Sequence, residues 1–423
     1  MTYRPVVDQF PVIPSLDPWS AAVFAAAFVA SIALTARRPV YGLCALIAIT
    51  PFALYREVFA TAMTLPRPVL LGVLTGLTTY SGTWQSLRSR PAALLLGALS
   101  VYCVATALSG ANAHHPELVV RETLKLLEYA LFFVAAYACY RLDPDSAAPA
   151  AVLAAITVVV SLTALAQEFL GAPSGLYVGR AIVPRVAGVL EGPNQLAGYY
   201  DLVVPVVAAW AIERRSALAN GALFFAIAAD VLTFSRSGLA AVAIGVAFLA
   251  AVRGKAALAA LRPALGGALA GLLVVAGWGA YAQSASVFRF SVESAYAGGV
   301  GNRGQLWDAA LRMWRAHPLL GVGAGNYELE LPFYGVLGVR THANSWYLQS
   351  LAEGGLLLFG ATVAIVASVG AAFARSLRSS PWVLGAAAAS LAICLHQIAD
   401  YLVFFPKVGM TWWLLLGIAA SAA

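Results

Sequence analysis

Long apolar runs recur from one end of this chain to the other, and no soluble fold can bury so many. Crossing the hydrocarbon of a bilayer takes roughly 20 mostly apolar residues in a helix, which satisfies its own backbone N–H and C=O groups. On that template, spans are expected near 19–36, 39–55, 66–83, 92–110, 119–140, 148–170, 195–212, 217–234, 237–252, 263–282, 343–374, 382–404 and 408–422. The runs at 39–55 and 408–422 are short, so the expected number is about 12 or 13. Charged residues make up 11% of the chain, against about 25% in a soluble domain. The expected fold class is therefore all-α, a polytopic integral membrane protein. It forms a single membrane domain over 1–423, with one large loop at 283–342.

The basic residues say how these spans are oriented. A net charge of +7 could suggest a nucleic-acid partner, but the cations sit singly or in pairs at the ends of apolar runs. No basic face is built, and no nucleic acid is expected. Arg37–Arg38, Arg88–Arg90, Arg141, Glu213–Arg214–Arg215, Arg253–Lys255 and Arg375–Arg378 occupy every second connection. The positive-inside rule makes those connections cytoplasmic. The connections at 111–118, 171–194 and 283–342 then share the opposite, outer face. The first 18 residues lack a basic region leading into a short apolar core, so the first run is read as a retained span rather than a signal peptide. Cys44, Cys103, Cys139 and Cys394 fall inside apolar runs without metal-ligand spacing and read as small core residues.

Polar chemistry concentrates in three places. In the first, Pro193 stops any preceding helix and Asn194 is placed to cap the next span, with Arg180 and Arg185 just before it. Arginines beside a helix N-terminus make a site for phosphate oxygens; they equally suit lipid headgroups. The second is Ser235-Arg236-Ser237-Gly238, between two runs with almost no loop, which sets Arg236 at or inside the membrane boundary. A charge there costs about 2.5–3.5 kcal/mol on insertion scales and usually marks function.

The third place is the longest polar interval, which carries Arg303 and Arg312 and ends in His342, Asn344 and Glu353. His342, Trp346, Gln349 and Glu353 are spaced to share one helical stripe, facing the protein interior. A neutral histidine there can act as a general base, or it can cap a loop carbonyl. Other signals are weaker. The glycines of 321–326 lack the strand and Lys-Ser/Thr of a phosphate loop and read as a flexible turn. His114-His115 with Glu117 has loose metal-ligand character. His396 and Asp400, four residues apart, share a face and can satisfy each other. No paired-carboxylate motif occurs in the outer loops, so no metal site and no cofactor are expected.

Four pieces in order resemble the O-antigen ligase and polymerase superfamily of bacterial membrane glycosyltransferases. They are RVAGVLEGPNQLAG at 185–198, SRSG at 235–238, NRGQLWDAALRMWRAHPLLGVGAGN at 302–326 and HANSWYLQSLAEGG at 342–355. The resemblance implies about a dozen helices with one large periplasmic loop, in the bacterial inner membrane, and an active site facing the periplasm. It implies inverting, metal-independent transfer of a glycan from undecaprenyl diphosphate to a hydroxyl of lipid A–core or another glycan. Arg185 and Arg236 then hold the diphosphate, and His342 is the base or the group that orients the acceptor. Arg180, Asn194, Arg303, Arg312, Asn344 and Glu353 are the expected substrate contacts. A repeat-unit polymerase, with the same donor and a lipid-linked acceptor, is the nearest alternative. A transporter of lipid-linked sugars is the alternative from another class, and it lacks support from internal repeats.

Overall fold

The structure is a computed structural model and describes residues 18–52, 55–58, 61–81, 89–144, 147–172, 174–178, 181–214, 216–281 and 301–423. The reading of the N-terminal stretch before residue 18, the Arg180 position and the loop residues 283–300 lie outside the described residues. The chain is a multi-pass helical membrane protein. Its helices are α1 (Pro18–Arg37), α2 (Pro39–Ile49), α3 (Pro66–Leu77), α4 (Arg90–Leu108), α5 (Pro116–Leu142), α6 (Ala148–Leu170), α7 (Pro193–Arg214) and α8 (Ala217–Leu232). They continue as α9 (Arg236–Arg253), α10 (Lys255–Ala260), α11 (Arg262–Tyr281), α12 (Gly301–Ala316), α13 (Tyr327–Glu330), α14 (Trp346–Phe373), α15 (Pro381–His396) and α16 (Pro406–Ala422).

Every expected span is occupied by a helix, and among the described residues 7 stretches are long and apolar enough to cross a membrane: those of α1, α4, α6, α7, α9 and α14, and one that runs from α10 into α11. Shorter apolar helices are α2, α3, α8 and α15. Helix starts follow local chemistry. The hydroxyls of Ser89, Ser216, Ser235, Ser345 and Ser380 each accept a backbone N–H and so open α4, α8, α9, α14 and α15. Two antiparallel hairpins depart from an all-helical chain. One pairs β1 (Tyr55–Val58) with β2 (Thr61–Thr64), the other β3 (Ser174–Val178) with β4 (Ala181–Arg185), in the register Ser174 to Arg185.

The connections contact one another in two groups. Arg38 pairs with Asp143 at 2.7 Å, Arg253 with Glu213 at 2.6 Å, and Arg378 donates to the Val252 carbonyl. In the second group, Ala324 N–H donates to the Ser109 hydroxyl, Asn112 to the Gly321 carbonyl, and His115 N–H to Asn326. Thus the basic connections meet one another, and so do the polar ones.

One expected span is cut short in a way that organises the site. The run 382–404 reads as a single helix, yet α15 ends at His396, and residues 397–405 form an irregular link to α16. Such backbone is tolerated at membrane depth only where its polar groups are met from within the protein. Here Trp346 N–H donates to the Gln397 and Asp400 carbonyls, the Tyr129 hydroxyl to Val403 O, and Lys125 to Phe404 O. Gln397 turns its own side-chain oxygen to Val403 N–H.

The interval after residue 300 is not an open loop. α12 packs on α14, and a second small core gathers Leu306, Ala309, Met313, Tyr327 and Leu331. The glycine turn expected to be flexible is pinned. Val322 and Gly323 N–H donate to the Ala352 and Glu353 carbonyls of α14, and Leu356 N–H, beyond a kink at Gly355, donates to Pro318 O. Gly321 has φ +64°, and a Cβ on it would lie 2.3 Å from the Glu353 carbonyl carbon. Gly321→Ala therefore combines a left-handed alanine with a backbone clash, at a cost of roughly 2–5 kcal/mol. The expected outcome is a clearly lowered thermal midpoint of the purified protein in detergent.

Candidate functional site

Arg185 closes β4 and leads into the turn before α7. Its Nε donates to the Thr233 carbonyl at 2.7 Å and its Nη2 to Asn194 Oδ1 at 2.6 Å. Asn194 is the second residue of α7, and its amide passes the contact on to Asp400 Oδ2 at 2.7 Å. Asp400 in turn accepts Tyr401 N–H. Four elements are joined in this way: the β4–α7 turn, the end of α8, the start of α7 and the irregular link. Asn194 acts as a bridge between a cation and a carboxylate, and the capping expected of it is not its role.

Arg236 is the first residue of α9, directly after the Ser235 cap. Phe234 takes φ +54°, unusual for a bulky residue, and this reversal lets α9 start with no loop after α8. Among the described residues the half-buried Arg236 guanidinium has no hydrogen-bond or ion-pair partner. An unpaired cation at the positive end of a helix in an apolar bundle attracts an anion strongly. Arg303, near the start of α12, is likewise without a partner among the described residues and lies within electrostatic reach of His396, behind the Arg236 turn.

His342 does not belong to a helical stripe. Asn344 takes φ +49° and Ser345 caps α14, so the helix begins at Trp346 and His342 stands in the loop before it. The stripe reduces to Trp346, Gln349 and Glu353, all buried. Gln349 accepts Ala343 N–H and donates to Glu353, and Glu353 also accepts Tyr327 N–H. Glu353 thus clamps the loop to α14, which differs from the expected substrate contact.

The His342 ring is 18% exposed. It is walled by Phe404, Tyr401 and Phe405, with ring centroids at 4.2, 5.5 and 6.0 Å. Burial, and then the positive charges of Lys125 and Arg121, lower its pKa to about 3. Its Nδ1 lies 3.3 Å from Glu328, whose own pKa burial pushes upward. With the imidazole neutral, this is a polar contact rather than an ion pair, and Nε2 is the nitrogen left to accept a proton or a hydrogen bond.

On the other side of Tyr401 and Phe404 is a small cavity of about 40 Å³, lined by residues that include Glu122, Lys125, Trp346, Glu353, Tyr401 and Phe404. Lys125 forms an ion pair with Glu122 and sits 3.9 Å from the centroid of the Phe404 ring. Sequence reasoning missed the Arg121-Glu122-Lys125 group of α5. Its signal was present: Arg121, Glu122, Lys125 and Glu128 fall within eight residues of a run long enough to cross the membrane.

Other expectations are redistributed. Arg312 pairs with Asp308 one turn away at 2.8 Å, both half-exposed, and it does not line the cavity. Asn344 serves the turn into α14 through its backbone, and its side chain is unpaired among the described residues. His114 contacts Glu330 at 2.6 Å and His115 contacts Glu117, tying the α4–α5 connection to α13. His396 and Asp400 do not satisfy each other: His396 faces Asp201, and Asp400 faces Asn194. Among the described residues no three His, Cys, Asp or Glu side chains gather at metal-binding distance.

An O-antigen ligase family model matches residues 221–363, about a third of the chain, and supports the resemblance to the O-antigen ligase and polymerase superfamily over that stretch. No curated protein matches the chain. The matched stretch holds the Arg236 turn, α12, the glycine turn and His342, whereas Arg185, Asn194 and the link 397–405 lie outside it.

Replacing Asn194 by alanine leaves both Arg185 and Asp400 short of a bond. Hydrogen bonds to charged groups contribute about 1.5–3 kcal/mol each. The Asn194→Ala variant is expected to fold with a lowered thermal midpoint, measured in detergent against the parent.

Proposed function

We propose that the chain is an O-antigen ligase. It moves a glycan from undecaprenyl diphosphate to a sugar hydroxyl of lipid A–core, with inversion, at the periplasmic face of the bacterial inner membrane. The observation that carries this reading is the unpartnered Arg236 at a helix start, backed by the same link, 397–405, that walls His342 and anchors Arg185 through Asp400.

The chemistry has two halves. The bond between the anomeric carbon and the diphosphate oxygen breaks, and the leaving diphosphate gathers negative charge. Arg236 and Arg303 meet that charge without being drawn from existing partners, so little reorganisation is needed. Arg185 is held in its own hydrogen bonds and sets the geometry of the pocket wall. The acceptor oxygen attacks the opposite face of the sugar, and its proton leaves toward His342 Nε2. A histidine held neutral is always ready to accept, but its low pKa makes it a weak base in the free enzyme. It orients the hydroxyl first, and the incoming diphosphate raises its basicity. The cavity, with Trp346, Tyr401 and Phe404 among its walls, supplies aromatic faces beside Glu122 and Lys125 for the acceptor.

Arg236→Ala is expected to lower glycan transfer by about a hundredfold or more, on the scale of removing one transition-state contact, while the protein stays folded in membranes. The assay incubates purified protein with undecaprenyl-diphosphate glycan and two acceptors, lipid A–core and a second lipid-linked repeat. Product on the core supports the ligase. A ladder of lengthened lipid-linked glycans with none on the core assigns the polymerase instead.

The pH profile gives a second check. An ordinary imidazole protonates near pH 6.5, whereas His342 in the free enzyme gains its proton only near pH 3. The profile of kcat/KM is therefore expected to lack an acid limb around pH 6.5, and such a limb that vanishes in His342→Gln would contradict this assignment.

A further inference from the structure

The mechanism leaves one buried pair unused. His396, the last residue of α15, contacts Asp201 of α7 from Nδ1 to Oδ2 at 2.6 Å, and both side chains are fully buried. The remaining atoms, His396 Nε2 and Asp201 Oδ1, are buried without a hydrogen-bond partner among the described residues. A carboxylate–histidine pair in the interior of an apolar bundle is costly to maintain, because each group loses its water. Packing alone would be served better by an apolar pair of the same size.

Its neighbours show what it touches. α9 packs against both α7 and α15, and the point of closest approach is Gly238, two residues after Arg236. A Cβ at Gly238 would lie 2.7 Å from the Ala197 Cβ, 3.1 Å from His396 Cε1 and 3.2 Å from the Ser235 hydroxyl. The imidazole edge and Ala197 together form the seat on which the first turn of α9 rests. This explains the glycine of the Ser-Arg-Ser-Gly sequence: any side chain would lift the turn off the ring. Arg303 of α12 bears on the same ring electrostatically. His396 therefore lies behind one unpaired cation and within reach of the other.

We propose that the Asp201–His396 pair is a positioning element for anion binding. Asp201 fixes the imidazole orientation, and the imidazole fixes the height of the α9 start, and with it Arg236 and the free N–H groups of the first turn. Each arginine turn then has its own carboxylate behind it, acting through one intermediary: Asp400 through Asn194 for Arg185, and Asp201 through His396 for Arg236. This rests on the reading of Arg236 as a diphosphate-binding cation.

The test titrates inorganic pyrophosphate into the full-length protein in detergent by calorimetry and records the thermal midpoint of every variant. His396→Asn keeps an amide in reach of Asp201 but removes the ring edge against Gly238. Asp201→Asn keeps the ring and a neutral hydrogen bond, and Asp201→Ala leaves the ring unheld. The expected result is that His396→Asn and Asp201→Ala fold and bind pyrophosphate at least about tenfold more weakly, with Asp201→Asn recovering most of the affinity. Parental affinity in a folded His396→Asn protein overturns the proposal, as does Asp201→Asn binding no better than Asp201→Ala. Arg236→Ala separates the two levels. If it loses pyrophosphate binding while folded His396→Asn keeps it, only the positioning role fails. If Arg236→Ala itself binds like the parent, the diphosphate reading fails, and the positioning role with it.

Discussion

The site depends on nine residues of non-helical backbone held deep in the protein. Residues 397–405 could not exist in lipid, because their carbonyls would face hydrocarbon without donors. They persist because Trp346, Tyr129 and Lys125 supply those donors, while the Gln397 side-chain oxygen accepts Val403 N–H. The same residues are thereby fixed in space, so a requirement of backbone satisfaction becomes a means of alignment. Asp400 reaches Arg185 through Asn194, and Tyr401, Phe404 and Phe405 enclose His342.

Charge inside an apolar bundle is expensive, and the chain treats its charges in two ways. Some have partners in place: Lys125 pairs with Glu122, Arg185 donates to a carbonyl and an amide oxygen, and His396 contacts Asp201. Arg236 and Arg303 are left without partners among the described residues. The cost of keeping them so is returned only when an anion arrives, which is the property a binding site for a leaving diphosphate requires. His342 follows the same logic in reverse. Nearby cations and a ring of aromatic side chains keep it uncharged until a negative group approaches.

The outer segment contributes rigidity. Gly321 and Gly355 allow the chain to pass against α14 at distances no side chain permits, Gly323 does the same against Ala113, and Glu353 ties the turn down from within the helix. The family match ends inside α14, so it covers the Arg236 turn and His342 but not the link 397–405 that walls His342 and reaches Arg185 through Asn194. Alignment therefore comes from outside the stretch that carries the family signature.

How far the sequence reached can be judged residue by residue. Apolar runs located the helices of the bundle, since that signal is local and additive along the chain, whereas α12 and α13 fall inside the interval expected to be a loop. Arg236 was legible because an arginine between two runs with no loop has nowhere to go but the membrane boundary. The helical stripe containing His342 failed at its first member, because the left-handed turn at Asn344 is set by contacts of the loop rather than by spacing. The pairing of His396 with Asp400 failed for a related reason: four-residue spacing places two side chains on one face only while the helix continues, and here it stops at His396. Membrane insertion and the short cationic turns were thus determined by the sequence itself. Which carboxylate meets which cation, and that Arg121 and Lys125 of a distant helix lie beside His342, was decided by tertiary structure, because those partners stand more than two hundred residues apart.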